Sequence, residues 1–300
     1  MIPPIVSYIT FNRLGLTARN LKAILDTNED FHMHIIDNHS SDGTWEYIKS
    51  LKDSRIITKT KLEANIGKIY ALNLNLIKRQ PGQYFITVDN DVYIETKDWI
   101  SRFMKVFKAF PKVGLLGVKR GEPYGGYLPP VLYKEKGEAS YLELVGQLPS
   151  EGEYYVPGHL QCLRPKLIDK IGYWSEENYF GDIEMSYRVN NYTSFKSGFV
   201  TDINIDQKQH LPCNKCLYQD KCKLKGTDET CFSIYKRVYK NPEFFEKFKW
   251  KFVETVRDME SGARPVYCAS ASDANSMENH IFNKEWAIEN FKFYVENASW

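Results

Sequence analysis

Between residues 5 and 118 the chain switches back and forth between two hydrophobic periodicities, and few folds accommodate that alternation. "IVSYITF" (5–11), "HMHIID" (32–37), "RIITKT" (55–60), "YFITV" (84–88) and "VGLLGV" (113–118) read as buried strands. The stretches between them, 17–25, 44–51, 67–79 and 96–110, read as helices. Leu21, Ile24 and Leu25 share one helical face, as do Ile69, Leu72, Leu76 and Ile77. Strand–helix–strand units of this kind predict an α/β fold with a mostly parallel central sheet and helices on both faces. In such sheets ligands sit beyond the carboxyl ends of the strands. Asn12, Asp37, Asp89 and Asp91 are all expected at that edge.

The remainder of the chain is less regular. Residues 119–153 are rich in Gly, Pro and Tyr and read as a long loop or hairpin able to cover a site. Strand and helix patterns return in "YYVPGHLQCL", "RPKLIDKIG", "GDIEMSYRVNN" and "SGFVTDINI". Four cysteines follow in 211–231, then a basic, aromatic helical stretch over 232–257 and a closing helix over 283–298. This divides the chain into a main domain (1–210, with halves 1–118 and 119–210) and an extension (211–300). A hydrophobic content of 43% suffices for a large core. A net charge of +2 singles out neither nucleic acid nor a membrane as partner. The start of the chain lacks a basic-then-apolar leader, and no run of about 18 apolar residues occurs. A cytoplasmic protein without a transmembrane segment is expected; oligomeric state is not legible.

The strand at 84–88 ends in Asp89-Asn90-Asp91. Two carboxylates two residues apart at a strand end can aim at one point, and hard oxygen ligands there suit Mg²⁺ or Mn²⁺ with phosphate oxygens. The plainer alternative is a turn, which Asp and Asn also favour.

The neighbouring stretches add to this. In chain order, "VSYITFNRLGLTARNLKAIL", "HIIDNHSSDGTWEYI", "ANIGKIYALN", "YFITVDNDVY" and "VPGHLQCLRPKLIDKIGYWSEENYFGDIEMSYRV" together resemble a family 2-type glycosyltransferase of the GT-A fold, over roughly residues 1–210. The resemblance implies a Rossmann-like sheet and transfer of a sugar from a nucleotide-sugar, a UDP-sugar by preference, to an acceptor hydroxyl. It implies that Thr10, Phe11, Asn12, Arg13, Asp37, Asn65, Gly67 and Asp89 contact the donor. Asp37 takes the place of the acid that accepts the uracil N–H, although a capping role in "DNHSSDGT" stays open. Asp91 and Asp89 would bind Mn²⁺ or Mg²⁺, with His210 as a third ligand. Asp182 matches the general base of inverting members, and Glu184 stands two residues behind it. The acid that usually precedes this base is Gly181 here, and acids at a helix start are favoured by the dipole alone. Trp174 reads as a sugar-stacking or core residue, and His159 as pocket-lining or structural.

Cys213, Cys216, Cys222 and Cys231 lie outside the family pattern. Their C-x2-C-x5-C-x8-C spacing points to structural Zn²⁺ first and an Fe–S cluster second, with free thiols as the alternative. Residues 214–257 carry eleven Lys/Arg, six Asp/Glu and nine aromatics. That mixture suits nucleic acid, while solvated lysines on a helix pair explain it equally. The expected acceptor is a carbohydrate or glycoconjugate. Hydroxylated bases of DNA, as in phage-type enzymes, are the second reading, and an inactive nucleotide-sugar or nucleic-acid binding module is the third.

Overall fold

The structure is a computed structural model and describes residues 2–119, 129–150, 152, 154–177, 179–207, 212–216, 218–278 and 283–298. Its first half follows the alternation in the sequence: β1 (Ile5–Thr10), α1 (Leu14–Leu25), β2 (His32–Asp37), α2 (Thr44–Ser50), β3 (Ile56–Lys61), α3 (Lys68–Leu76), β4 (Phe85–Asp89), β5 (Val92–Ile94), α4 (Trp99–Ala109) and β6 (Val113–Val118). Then come the hairpin β7 (Val131–Lys136) and β8 (Ala139–Leu144), β9 (Leu160–Leu163), α5 (Pro165–Ile171), α6 (Gly181–Tyr192), β10 (Lys196–Val200) and β11 (Ile205–Gln207). After two short 3-10 turns the chain ends in α7 (Cys231–Tyr239), α8 (Pro242–Glu260), α9 (Ala274–Glu278) and α10 (Lys284–Ala298).

Nine strands form one sheet in the order β3-β2-β1-β4-β9-β6-β10-β8-β7, and β5 pairs with β11 in a small second sheet. Strands β3, β2, β1 and β4 are mutually parallel, as are β6 and β10. The other four pairings of the large sheet are antiparallel, so it is mixed rather than mostly parallel. The reason is the long connection after β6. It returns the chain as a hairpin and inserts β9 head-to-tail between β4 and β6, where a helical crossover would have kept it parallel.

Because side chains alternate across a strand, each face acquires its own helical cover. One core joins α1, α2 and α4 to Val6, Tyr8, Met33, Ile35, Ile86 and Val88. The other joins α3, α5, α6 and α8 to Ile5, Phe85, Leu115, Leu163 and Phe199. Helix α8 contributes Phe252, Val256 and Met259 to that second core, so the segment after 210 shares the apolar interior of the residues before it. The helical stretch expected over 232–257 is broken in two at Asn241–Pro242. Proline opens α8, and the Asn241 side chain accepts the Phe244 N–H at 3.2 Å. Among the described residues no helix is long and apolar enough to cross a membrane.

Candidate active site

The parallel register aligns the carboxyl ends of β2, β1 and β4, with Thr10 opposite Asp37 and Ile9 opposite Asp89. The turn after β1 is unusual: Asn12 and Arg13 both adopt left-handed backbone, with φ of 54° and 66°. For a non-glycine residue this costs about 1–2 kcal/mol, and local hydrogen bonds offset it. The Asn12 N–H donates to Ser40 Oγ at 2.7 Å, and Asn12 Oδ1 accepts the Ser41 N–H at 2.9 Å. Asp42 then accepts the Leu14 N–H at 2.8 Å and the Thr44 N–H at 3.0 Å, capping α1 and α2 together. Thr10 is buried and takes the Asn90 amide on its Oγ1 at 3.0 Å, tying β1 to the acidic tip. Phe11 packs against a third apolar cluster built from α7, α8 and α10.

Asp37 is fully buried. Its Oδ1 accepts the Ser40 N–H at 2.6 Å, while Oδ2 has no partner among the described residues. Burial holds its carboxyl above the ordinary range, against the opposing pull of Ser40. One oxygen thus does the turn-capping job and the other is left to accept a donor from a ligand.

At the tip of β4, Asp89 pairs with Lys68 Nζ at 2.5 Å and Asp91 with Arg13 Nη1 at 3.3 Å. Asp91 is mostly buried, and its Oδ1 has no partner among the described residues. Burial is the largest influence raising its pKa; Arg13 opposes it and Asp89 reinforces it. A buried carboxylate oxygen without a donor, beside a second acid and two cations, suits a divalent metal carrying a diphosphate. His210 lies outside the described residues. Among those residues no three His, Cys, Asp or Glu side chains form a metal-holding group.

Asp182 stands at the start of α6, where its Oδ2 accepts the Gly158 N–H at 3.0 Å. Lys68 donates to the Gly158 carbonyl at 2.9 Å. A Cβ on Gly158 would lie 3.2 Å from the Asp182 Cβ and 3.4 Å from Lys68 Nζ, so glycine lets both side chains close on one peptide. Through Gly158 and Lys68, Asp182 is therefore joined to Asp89.

The family profile for glycosyl transferase family 2 matches residues 6–172, more than half of the chain and all of this donor side. The chain belongs to glycosyl transferase family 2. Solved structures share its GT-A architecture at low sequence identity. A mannosyltransferase from Pyrobaculum calidifontis, in complex with GDP-Man and Mn²⁺, is 17% identical over 67% of this chain, with a TM-score of 0.51. The match takes in only 56% of that mannosyltransferase. S. aureus TarS 1–349 in complex with UDP is 17% identical over 98% of this chain and 81% of its own length, with a TM-score of 0.54. GalNAc-T7 with UDP, GalNAc and Mn²⁺ is 14% identical over 99% of this chain and 56% of its own, with a TM-score of 0.52. No curated protein matches the sequence.

Within this glycosyltransferase several expected site residues turn out to do other work. Glu184 is buried and accepts the Arg188 Nη2 hydrogen at 2.8 Å, and the Arg188 guanidinium also reaches the carbonyls of Ile171 and Tyr173. Two residues along a helix turn a side chain to the opposite face, so Glu184 faces the core and is no substitute for Asp182. Asn65 accepts the Gly67 N–H at 2.9 Å. Gly67 has φ of 82°, and a Cβ there would sit 2.8 Å from the ring of Tyr294. Gly67, expected to contact the donor, is thus covered by α10. Trp174 is buried against Phe85, and His159 is a buried residue whose carbonyl accepts the Asp89 N–H at 2.9 Å.

The four cysteines are free and half-buried. All four line one cavity of ≈ 580 Å³, together with Arg13, Gly15, Asp42, Tyr218 and Phe232. They surround this space without closing into a coordination sphere, which departs from the expected tetrahedral staple. Burial, reinforced by the nearby Asp42 charge, pushes the Cys231 thiol up to about 12. Part of the basic run is neutralised internally: Lys247 and Lys251 meet Glu289, Arg237 meets Glu229 and Lys225 meets Asp220. Lys68 and Gly158 escaped sequence reasoning. Lys68 had a signal, since it directly follows the family glycine; Gly158 had none, because its role depends on two side chains from distant elements.

Proposed function

We propose that this glycosyltransferase moves a sugar from a UDP-sugar to an acceptor hydroxyl, with inversion and with a divalent metal. The supporting observation is the convergence, along one sheet edge, of an Asp37 oxygen and an Asp91 oxygen that have no partner among the described residues, together with the Asp182 carboxylate. Asp37 Oδ2 accepts the uracil imide N–H. Asp91, with Asp89, would hold Mn²⁺ or Mg²⁺, whose positive charge would stabilise the leaving diphosphate. Arg13 and Lys68 add cationic hydrogen-bond donors beside the same phosphates. Asp182 takes the proton of the acceptor hydroxyl as that oxygen forms its bond to the anomeric carbon and the bond to the diphosphate breaks. Attack from the opposite face inverts the configuration.

The test is UDP-sugar hydrolysis or transfer with Mn²⁺. Asp91→Ala and Asp182→Ala are each expected to lower turnover at least about 100-fold, the scale of a lost acid–base or electrostatic group. Wild-type turnover without added or bound metal would refute the metal role, and a product retaining the donor's configuration would refute Asp182 as base. Nucleotide binding without any turnover would favour the inactive binding module.

For the cysteines, zinc remains the first reading and an iron–sulfur cluster the second, on the support of their spacing and shared cavity. Binding would require the cavity to contract. Elemental analysis of the purified protein decides this.

A further inference from the structure

Helix α7 carries a row of rings that the core does not require. Its buried residues are Ile234 and Val238, which enter the third apolar cluster. Phe232, Tyr235 and Tyr239 stand at i, i+3 and i+7 on its flank, and so share one face. Successive centroids are 6.5 and 5.8 Å apart, and the rings are inclined by only 27° and 24°. Tyr239 is 38% exposed. At one end Phe232 lines the four-cysteine cavity. At the other, Tyr239 meets Tyr179 at 5.6 Å, and Tyr179 packs on Phe180, the residue that leads into α6 and Asp182.

We propose that this row is the acceptor track of the enzyme, on which successive sugar rings of a carbohydrate chain stack, with Tyr239 nearest the reacting hydroxyl. The inference rests on the transferase reading above and adds the acceptor to it. The apolar C–H face of a sugar ring complements the negative face of an aromatic ring, and tyrosine adds a polar tip for sugar hydroxyls. The track leads directly to the proposed base, which is where an acceptor must arrive. Lys236 and Lys240 hover 5.8 and 5.7 Å from the Phe232 and Tyr235 rings. Exposed contacts of that kind are weak, so a sugar displaces them readily.

The test uses maltohexaose, cellohexaose and chitohexaose as probes, with a dT oligonucleotide beside them, in ligand-observed saturation-transfer NMR on the full chain with UDP and Mn²⁺. At least one hexasaccharide is expected to bind. Tyr235→Ala and Tyr239→Ala should each weaken that binding at least tenfold, while Tyr239→Phe stays within threefold. Tyr239→Leu, which keeps apolar bulk without a ring, should behave as the alanine variant, separating lost stacking from lost folding. The proposal is overturned if no hexasaccharide binds, if only the oligonucleotide binds, or if the ring variants bind as the wild type does. A thermal shift of the wild type with UDP and Mn²⁺ reports on the donor reading separately. Its absence would sink that reading whatever the rings do.

Discussion

Two carboxylate oxygens, Asp37 Oδ2 and Asp91 Oδ1, are buried without a donor among the described residues. A buried acceptor left unpaired costs roughly 1–3 kcal/mol, and a ligand that supplies the missing donor or cation recovers it. Asp37→Asn keeps the shape and can present an N–H where an acceptor is needed. UDP affinity, measured by calorimetry, should fall about 10- to 100-fold, the equivalent of that same 1–3 kcal/mol. Unchanged affinity would remove Asp37 from the donor site. A second residue-level consequence concerns acid. His34 is buried on β2 with its Nδ1 2.8 Å from Thr58 Oγ1, and burial, helped by the charges of Lys78 and His32, lowers its pKa to about 4. An unfolded histidine titrates near 6.5. Above that pH neither state binds the proton and the stability is intact. As pH falls from about 6.5 toward 4 only the unfolded chain is protonated, so stability is lost across that window. His34→Gln should flatten the decline of melting temperature over this range; an identical pH profile would show that another group governs it.

Helix α6 shows how one element divides its acids between chemistry and structure. Asp182, at the exposed start, faces Gly158 and the site, whereas Glu184 turns inward to Arg188. Removing one partner of a buried ion pair costs about 3–5 kcal/mol, because the other charge stays buried alone. Glu184→Gln should therefore lower unfolding free energy by that order in urea titrations. Asp182→Asn should change it by no more than about 1 kcal/mol, as polar changes near a surface do, while abolishing turnover. The reverse pattern would exchange the two roles. The same helix start was readable as two acids at i and i+2, but their orientation was not. It depends on α6 lying over α5, β6 and β10, with the Gly158 peptide brought up beside it. The tip of β4 was more legible, since Asp89 and Asp91 end a strand whose apolar run is unmistakable. Even there, Lys68 and Arg13 arrive from other elements and could be paired with these acids only after folding.

For the whole molecule the decisive feature is the common interior. Phe252, Val256 and Met259 of α8 fill the core over β1, β4 and β6. Glu177 pairs with Arg264, and Glu176 accepts hydrogens from Asn73, Ser270 and Ala271. A chain ending at residue 210 would expose that apolar face, remove Arg264 from the buried Glu177 and leave the buried Glu176 without its Ser270 and Ala271 donors. It is expected to be insoluble or to lack a cooperative thermal transition, and Phe252→Ala in the full chain should cost about 3–5 kcal/mol. A soluble, cooperatively melting 1–210 fragment would show that the extension is an independent appendage.

What the sequence determined by itself was local: the positions of the helices and of every strand but β5 up to residue 118, the carboxyl-edge placement of Asp37, Asp89 and Asp91, and the family likeness of that edge. Periodicity and turn chemistry act over a few residues, so they can be read from a few residues. Tertiary structure alone decided that β9 runs antiparallel, that Glu184 faces inward, that Tyr294 covers Gly67, that four cysteines ring a cavity, and that α7 brings Tyr239 against Tyr179. Each of these is a meeting of groups far apart in the chain. Which groups meet is settled by how two apolar faces of one sheet are buried at once, and no stretch of sequence carries that alone.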